Sequence, residues 1–221
     1  MQIRNRLIPL IYRMAASAGT LVALIFYVTA LGPAWRALSL CSVQIGYALA
    51  AVLVFETIFN AIDMRHGIRG MAAGFYMPFK LPLVVFCMTA GLLYFIDTIV
   101  FYPIEFGAQG LIYHAVLLLV PLIDYLLFDE KGTVKWYQAL SAMLYPTLYL
   151  AFVWARPIIW PDAELYNGSS GMYPYIILNP RNDFFLLGSV GGFLALAAIL
   201  VGVSFLNDVL AGKYRNREPL I

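Results

Sequence analysis

Long apolar runs alternate with short polar segments along the whole 221-residue chain. A helix needs about 20 mostly apolar residues to cross a bilayer. Six runs approach or exceed that length, at about 11–31, 38–62, 79–101, 108–128, 136–155 and 184–210. The connectors between them are rich in Gly, Pro and charged residues, which favour turns. The pattern therefore predicts an all-α, polytopic membrane protein in which residues 1–221 form one bundle of six transmembrane helices.

The composition agrees with this class. Hydrophobic residues make up 62% of the chain and charged residues 12%, whereas soluble domains carry about 25% charged residues. The formal net charge of +2 is too small to suggest a nucleic-acid partner, so membrane lipids are the expected surroundings. Cys41 and Cys87 both lie in apolar segments, which argues against a disulfide framework.

The distribution of basic residues predicts the orientation. Eleven of the 14 lysines and arginines fall in the N-terminal segment, the second and fourth connectors and the tail, which all lie on one side. Basic residues concentrate on the cytoplasmic side of membrane proteins, so we expect both termini to face the cytoplasm. The long connector at 156–183 then faces outward, with a glycosylation sequon at Asn167.

Three polar side chains are predicted to share one shallow outer layer. At 1.5 Å per residue, Ser42 and Asp97 lie about 6 Å below the outer boundary and His114 about 9 Å below it. Glu56 and Asp124 belong to the opposite, cytoplasmic half. An ionisable group inside a membrane span is costly, and is therefore a functional hypothesis.

This layer contains the groups for ester hydrolysis. A neutral histidine takes a proton from a hydroxyl, the hydroxyl attacks an ester carbonyl, and a third group orients the histidine. Ser42 is then a candidate nucleophile, His114 a candidate base and acid, and Asp97 a weaker candidate for the orienting group, although the spacing alone does not establish this arrangement. The structural alternatives are a packing serine in the ladder Ser42, Gly46, Ala50, an interhelical hydrogen bond from His114, and an end-of-helix carboxylate at Asp97.

Further polar residues are candidates for substrate binding. Ser39 shares the face of Ser42, Gln44 is near, and Tyr145 and Tyr149 are one turn apart on a helix that Pro146 can bend. Arg156 is placed to meet an anionic head group, or to act as an ordinary interface anchor. No motif for a metal centre, a P-loop or a dinucleotide site is present, so no cofactor is expected.

Three segments follow one another in a distinctive order. The first runs from His114 through Pro121 and Asp124, the second is Tyr145-Pro146-Thr-Leu-Tyr149, and the third is Tyr173-Pro174-Tyr175. Together they resemble the bacterial six-helix membrane family called Pr-six-Pr. That family is similar to the animal androgen-induced and androgen-dependent membrane proteins, which hydrolyse fatty-acid esters of hydroxy fatty acids. The resemblance covers the second to sixth helices. It implies a multi-pass protein of the bacterial cytoplasmic membrane that acts on a lipid-like ester.

The resemblance also implies site residues. The family histidine falls on His114, and Ser42 stands where the family has a threonine nucleophile. The Ser-Asn pair that follows in the family is Ile45-Gly46 here. The competing hypothesis is a non-catalytic membrane protein that binds lipids or small molecules, or is a subunit of an assembly. A transporter is disfavoured because no inverted repeat is seen.

Overall fold

The computed structural model describes residues 5–32, 34–68, 74–100, 107–159, 173, 175, 178–181 and 183–215, with the backbone alone at 34–35, 97–100 and 213–215. All of the regular structure in these ranges is helical, which confirms the all-α prediction. The Asn167 sequon and most of the long connector lie outside the described residues.

Eight α-helices are described. They are α1 (Leu7–Leu31), α2 (Ala34–Leu38), α3 (Cys41–Arg65), α4 (Met77–Val100), α5 (Ala108–Phe128), α6 (Trp136–Ser141), α7 (Leu144–Ile159) and α8 (Gly192–Arg215). A single π-helical turn, Leu187–Gly191, leads into α8. Six spans are long and apolar enough to cross a membrane, with α6 and α7 forming the fifth and the π turn and α8 the sixth. The chain is therefore a multi-pass membrane protein.

The fifth predicted span is not one continuous helix. Its chain is interrupted at Ala142 and Met143, where tight turns replace the regular helical hydrogen bonds. Pro146 has no N–H to donate to the carbonyl of Ala142, four residues earlier, so the helix restarts with Pro146 in the first turn of α7. The bend predicted at Pro146 is thus a break just before it. The short helix α2 was not predicted.

The helices α1, α3, α4 and α5 form the centre of the bundle. α4 packs most extensively against α5, and α1 packs against both α3 and α5. The glycine Gly91 of α4 lies against His114 of α5, while Lys80 near the start of α4 reaches Asp124 near the end of α5. These contacts run in opposite directions along the two helices, so α4 and α5 are antiparallel neighbours.

Large apolar side chains cover the outward faces of the helices, among them Val22, Leu93, Leu148 and Val209. These faces suit contact with lipid tails. The buried residues of α1, α3, α4 and α5 instead form one continuous apolar cluster. Several polar side chains are buried in the bundle, among them groups near the start of α3 and near the end of α5.

Candidate functional site

Ser42, the second residue of α3, points into the bundle and is buried. The hydroxyl of Tyr113 on α5 donates a hydrogen bond to the backbone carbonyl of Ser42 at 2.6 Å. One turn further along α3, Gly46 leaves the room that this tyrosine occupies, because a Cβ at Gly46 would collide with the Tyr113 hydroxyl. The side chain of Tyr113 on α5 therefore packs against the predicted row of small residues on α3.

His114 follows Tyr113 on α5 and is only 3% exposed. Its ring stacks on Tyr94 of α4, with centroids 3.8 Å apart and planes within 1° of parallel. The rings of Tyr27 and Tyr113 meet it edge-on, with centroids 5.2 and 5.1 Å away. Three aromatic rings from α1, α4 and α5 therefore fix the plane of the imidazole. We call His114, Ser42, Tyr94 and Tyr113 the serine–histidine layer.

The hydrogen bond of the imidazole Nδ1 atom sets the tautomer of His114. Nδ1 lies 2.8 Å from the backbone carbonyl oxygen of Gly110, one turn earlier on α5. A carbonyl oxygen only accepts hydrogen bonds, so Nδ1 carries the hydrogen and a neutral imidazole presents the lone pair of Nε2. This nitrogen is the basic atom that proton abstraction needs.

Glycines allow the close approach of α4, α5 and the tyrosines around this histidine. A Cβ at Gly110 would collide with the Tyr94 hydroxyl, and a Cβ at Gly91 would lie 2.9 Å from the His114 carbonyl oxygen. Side chains at these two positions would push Tyr94 off the imidazole or separate α4 from α5. The tight stacking therefore depends on both glycines.

Tyr113 contacts both residues, since its hydroxyl donates to the backbone carbonyl of Ser42 and its ring contacts the imidazole of His114. Among the described residues, no hydrogen bond joins the Ser42 hydroxyl to the imidazole. The predicted orienting residue Asp97 belongs to α4, but its side chain lies outside the described part. The Nδ1 position that such a residue would bind is already taken by the Gly110 carbonyl.

Four of the predicted substrate-binding residues come together beside this layer, where α7 meets the start of α3. Tyr149 donates to the Ser39 carbonyl at 2.9 Å, and Tyr145 donates to Oε1 of Gln44 at 3.1 Å. The thiol of Cys41 lies 3.4 Å from the same Tyr145 hydroxyl. The side chain of Gln44 thus faces α7.

The fifth predicted binding residue, Arg156, lies near the end of α7. It is 3% exposed, so its guanidinium is inside the protein rather than at the surface. An interface anchor would leave its charged group in water.

A second polar centre was not predicted. It joins five charged side chains from α1, α3, α4 and α5 and the residue after α5, each at most 2% exposed; we call it the ion cluster, and its members are Arg13, Glu56, Lys80, Asp124 and Asp129. Arg13 donates through Nε to Oδ1 of Asp124 at 2.8 Å and through Nη2 to Asp129 at 3.1 Å. Lys80 donates to Glu56 at 2.6 Å, to Asp129 at 2.7 Å and to Asp124.

Arg13 and Lys80 are two of the eleven basic residues that the sequence analysis counted outside the spans, Arg13 in the N-terminal segment and Lys80 in the second connector, and the structure corrects that assignment. Both are inside the bundle, because Glu56 and Asp124 lie within apolar spans and need buried cationic partners. That requirement is the sequence signal that could have identified them, since Arg13 and Lys80 both lie inside predicted spans, at 11–31 and 79–101. The expected separation of Glu56 and Asp124 from Ser42 and His114 is confirmed among the described contacts.

The three carboxylates of the ion cluster have oxygens within 4.8 Å of one another, a spacing that also suits metal binding. The Nζ atom of Lys80 hydrogen-bonds to all three. The ammonium group of Lys80 therefore occupies the position between the three carboxylates that a metal cation would take. The donor set fits an internal ion network better than a metal centre.

Two charged groups just after α5 lie outside the membrane-spanning segments. Burial raises the pKa of Asp129, and the charge of Asp124 acts in the same direction, against Lys80 and Arg13. Burial lowers the pKa of Lys131 to about 8. The ammonium of Lys131 lies 3.7 Å from the centroid of the Tyr125 ring. It also donates to the carbonyls of Tyr125 and Asp129, and so caps the C-terminus of α5.

Comparisons with protein-family models, with curated proteins and with solved structures found no match to this chain. The resemblance to the Pr-six-Pr family consequently stays a prediction that rests on the residues quoted for it.

Proposed function

We propose that the protein is an integral-membrane hydrolase of lipid-like esters, with Ser42 as nucleophile and His114 as general base and acid. The observation that carries the proposal is the hydrogen bond from His114 Nδ1 to the Gly110 carbonyl. It leaves the lone pair of Nε2 available, in a bundle interior where Tyr113 contacts both the imidazole and the backbone of the buried Ser42. A buried neutral histidine beside a buried hydroxyl is the minimum for nucleophilic acyl transfer.

The reaction would proceed in two steps. The Ser42 oxygen attacks the ester carbonyl while Nε2 of His114 takes the hydroxyl proton, and the imidazolium then protonates the departing alkoxide. Water attacks the acyl–serine ester in the second step, with the same nitrogen first taking and then returning a proton. The products are a fatty acid and an alcohol, and Ser42 is restored.

The position of the substrate follows from the polar groups beside Ser42. The ester head would lie near Gln44 and Tyr145, whose side chains already hydrogen-bond to each other, and the acyl chain would lie between helices. Arg156 supplies a positive charge for an acidic head group. We further propose that both termini are cytoplasmic and that the protein lies in the bacterial cytoplasmic membrane.

A second candidate function is non-catalytic binding of a lipid or small molecule. It is favoured by the close stacking of His114 on Tyr94 and by the missing hydrogen bond between Ser42 and the imidazole in the described part of the chain. Under this alternative the imidazole is an interhelical packing element. Hydrolysis requires that the Ser42 hydroxyl reach Nε2 when an ester binds.

Fluorophosphonate labelling of the purified protein in detergent separates the two functions. An activated hydroxyl displaces fluoride and forms an oxygen–phosphorus bond. We expect the wild type and Ser42→Thr to be labelled, because both carry a hydroxyl, and Ser42→Ala to lose labelling. Ser141→Ala serves as a matched control, since Ser141 is exposed at the end of α6 and its hydroxyl bonds only to the Gln138 carbonyl among the described residues.

The variant His114→Asn removes the proposed base, Nε2, and keeps a hydrogen-bond donor opposite the Gly110 carbonyl. The asparagine amide can replace Nδ1–H opposite the Gly110 carbonyl but has no counterpart of Nε2. We expect its labelling rate to fall at least about 100-fold. Labelling that survives Ser42→Ala would place the nucleophile elsewhere, and an unlabelled wild type that nevertheless binds fatty-acid esters would support the binding function.

A further inference from the structure

The first turn of α3 contains two backbone N–H groups without a hydrogen-bond partner in the described chain. The first backbone hydrogen bond of the helix runs from the N–H of Gln44 to the carbonyl of Leu40, at 3.2 Å. The N–H groups before it need acceptors from outside the helix. Leu40 is the N-cap residue, and its apolar side chain supplies none. For Ser42 and Val43, no other described residue supplies one.

These two donors are inside the protein, since Ser42 is 5% exposed and Val43 is fully buried. A buried N–H group is normally paired with a protein acceptor or an ordered water, because leaving it unpaired is costly. The first helical residue, Cys41, differs from its neighbours, because its backbone contacts the Tyr149 hydroxyl. Two adjacent unpaired donors in a bundle interior therefore indicate a site for the acceptor atom of a ligand.

The Ser42 hydroxyl is a third unpaired group at the same place. It belongs to a buried side chain and makes no hydrogen bond to the described residues. Side chains of a helix lean towards its N-terminus, so this hydroxyl is directed towards the N–H groups of the first turn. The turn carries no acidic side chain that would compete for them. The helix dipole adds a positive potential, so an oxygen with partial or full negative charge suits the site.

Tyr113 holds one of the two backbone donors in place. Its hydroxyl donates at 2.6 Å to the carbonyl of Ser42, which belongs to the same planar peptide group as the N–H of Val43. Fixing the carbonyl therefore also fixes the direction of the Val43 N–H. A hydrogen bond to the carbonyl polarises the peptide and makes its N–H a stronger donor.

We propose that the first turn of α3 binds the carbonyl or carboxylate oxygen of a fatty-acyl molecule. The N–H groups of Ser42 and Val43 donate to this oxygen, and the Ser42 hydroxyl lies beside it. The apolar side chains of Leu40 and Val43 are buried in the same turn, so an oxygen carried on an alkyl chain fits better than a strongly hydrated ion.

This site would also supply an oxyanion hole, a role that rests on the proposed hydrolase function. When the Ser42 oxygen bonds to the ester carbonyl carbon, the electron pair of the C=O double bond moves to the carbonyl oxygen. The two N–H groups would then stabilise the resulting negative charge. Binding of the oxygen itself does not require hydrolysis, so it applies equally to a non-catalytic lipid-binding protein.

Pairwise isotope labelling makes the two N–H groups visible by NMR in lipid nanodiscs. The chain contains a single Cys–Ser pair, so ¹³C-carbonyl cysteine with ¹⁵N-serine selects the N–H of Ser42. It contains two Ser–Val pairs, so ¹³C-carbonyl serine with ¹⁵N-valine selects Val43 and Val190. Val190 is a matched internal control, because it is exposed in the π-helical turn before α8.

The probe is a long-chain methyl ketone, which has a carbonyl oxygen but no ester bond to cleave, and its control is the alkane of the same length. We expect the ketone to move the amide protons of Ser42 and Val43 to lower field and to leave Val190 unchanged. The alkane should move none of the three. A fatty-acid carboxylate tests the anionic form of the same ligand class and should give a larger shift.

Unmoved Ser42 and Val43 amides at saturating ketone and fatty acid would overturn the proposal and mean that only water occupies the turn. An equal response to the alkane would overturn it as well. Acylation of Ser42 by a nitrophenyl ester separates this result from the hydrolase function. Moved amides without acylation would support the binding site and remove its oxyanion role, whereas acylation with unmoved amides would overturn the site and leave the hydrolase function standing.

Discussion

The hydroxyl of Tyr113 reaches across from α5 to the backbone carbonyl of Ser42 on α3, at 2.6 Å. This contact determines how the proposed nucleophile is presented, because it fixes the first turn of α3 against the helix that carries His114. Gly46 makes the contact sterically feasible. The relationship between Tyr113 and Ser42 thus links helix packing to the chemistry proposed for the layer.

The variant Gly46→Ala should destabilise the protein by about 1–3 kcal/mol, because its methyl group would overpack against Tyr113. Thermal unfolding in detergent measures the effect. Gly202→Ala is the matched control: a Cβ there meets no described atom within 4 Å, so a gain of up to about 1 kcal/mol is expected from helix propensity.

Adding Tyr113→Phe to Gly46→Ala should restore part of the lost stability, since it removes the hydroxyl that the methyl group meets. The two substitutions should therefore be non-additive, as is usual for residues in contact. Strictly additive losses would contradict the close approach of Tyr113 to Gly46.

Removal of a buried charge should lower the free energy of unfolding far more than removal of a partly exposed charge. We expect Asp124→Asn to cost about 3–5 kcal/mol, because Arg13 and Lys80 lose a fully buried partner. Asp63→Asn breaks the Arg6–Asp63 pair, whose side chains are 12% and 27% exposed, and should cost about 0–1 kcal/mol. Denaturant unfolding of both variants measures the contrast, and equal losses would argue against the ion cluster.

The titration of Lys131 should appear in the pH dependence of stability. Its pKa is about 8 in the folded protein against an ordinary value of 10.5, so the unfolded chain binds more protons between these values. The contribution of Lys131 to stability should therefore increase as the pH rises from about 8 towards 10.5, and stay constant below this window.

The matched variant for this test is Lys131→Met, which keeps most of the aliphatic stem over Tyr125 and has no titrating group. The unfolding temperature of the wild type minus that of the variant should rise across the same pH window. A difference that falls with pH would mean that the charged lysine is favoured in the fold.

The sequence is sufficient to predict the six spans because several apolar runs of membrane-spanning length are rare in soluble domains. It is less informative about where helices break. Pro146 indicated a disturbance in the fifth span, but the interruption occurs at Ala142 and Met143, near the carbonyl that proline cannot bond. Helix ends likewise differ from the predicted bounds by a few residues, as at Leu7 and Cys41.

For the candidate site, the sequence predicts how deep each residue lies along its own helix, but it does not predict which side chains of neighbouring helices it contacts. Counting residues from the helix ends places Ser42 and His114 at similar depths, and Tyr113 indeed contacts both. The stacking of Tyr94 on His114 depends on how α4 and α5 are rotated, which a single sequence does not specify. The burial of Arg13 and Lys80 was missed because basic residues near helix ends usually face water.

The most direct test of the hydrolase account is to trap the acyl–enzyme. The purified protein would be mixed with a long-chain fatty-acid nitrophenyl ester, quenched in acid and mapped by peptide mass spectrometry. The account predicts an acyl group on Ser42 in the wild type and none in His114→Asn. Release of nitrophenol with the acyl group on another residue, or no release by folded wild-type protein, would contradict it.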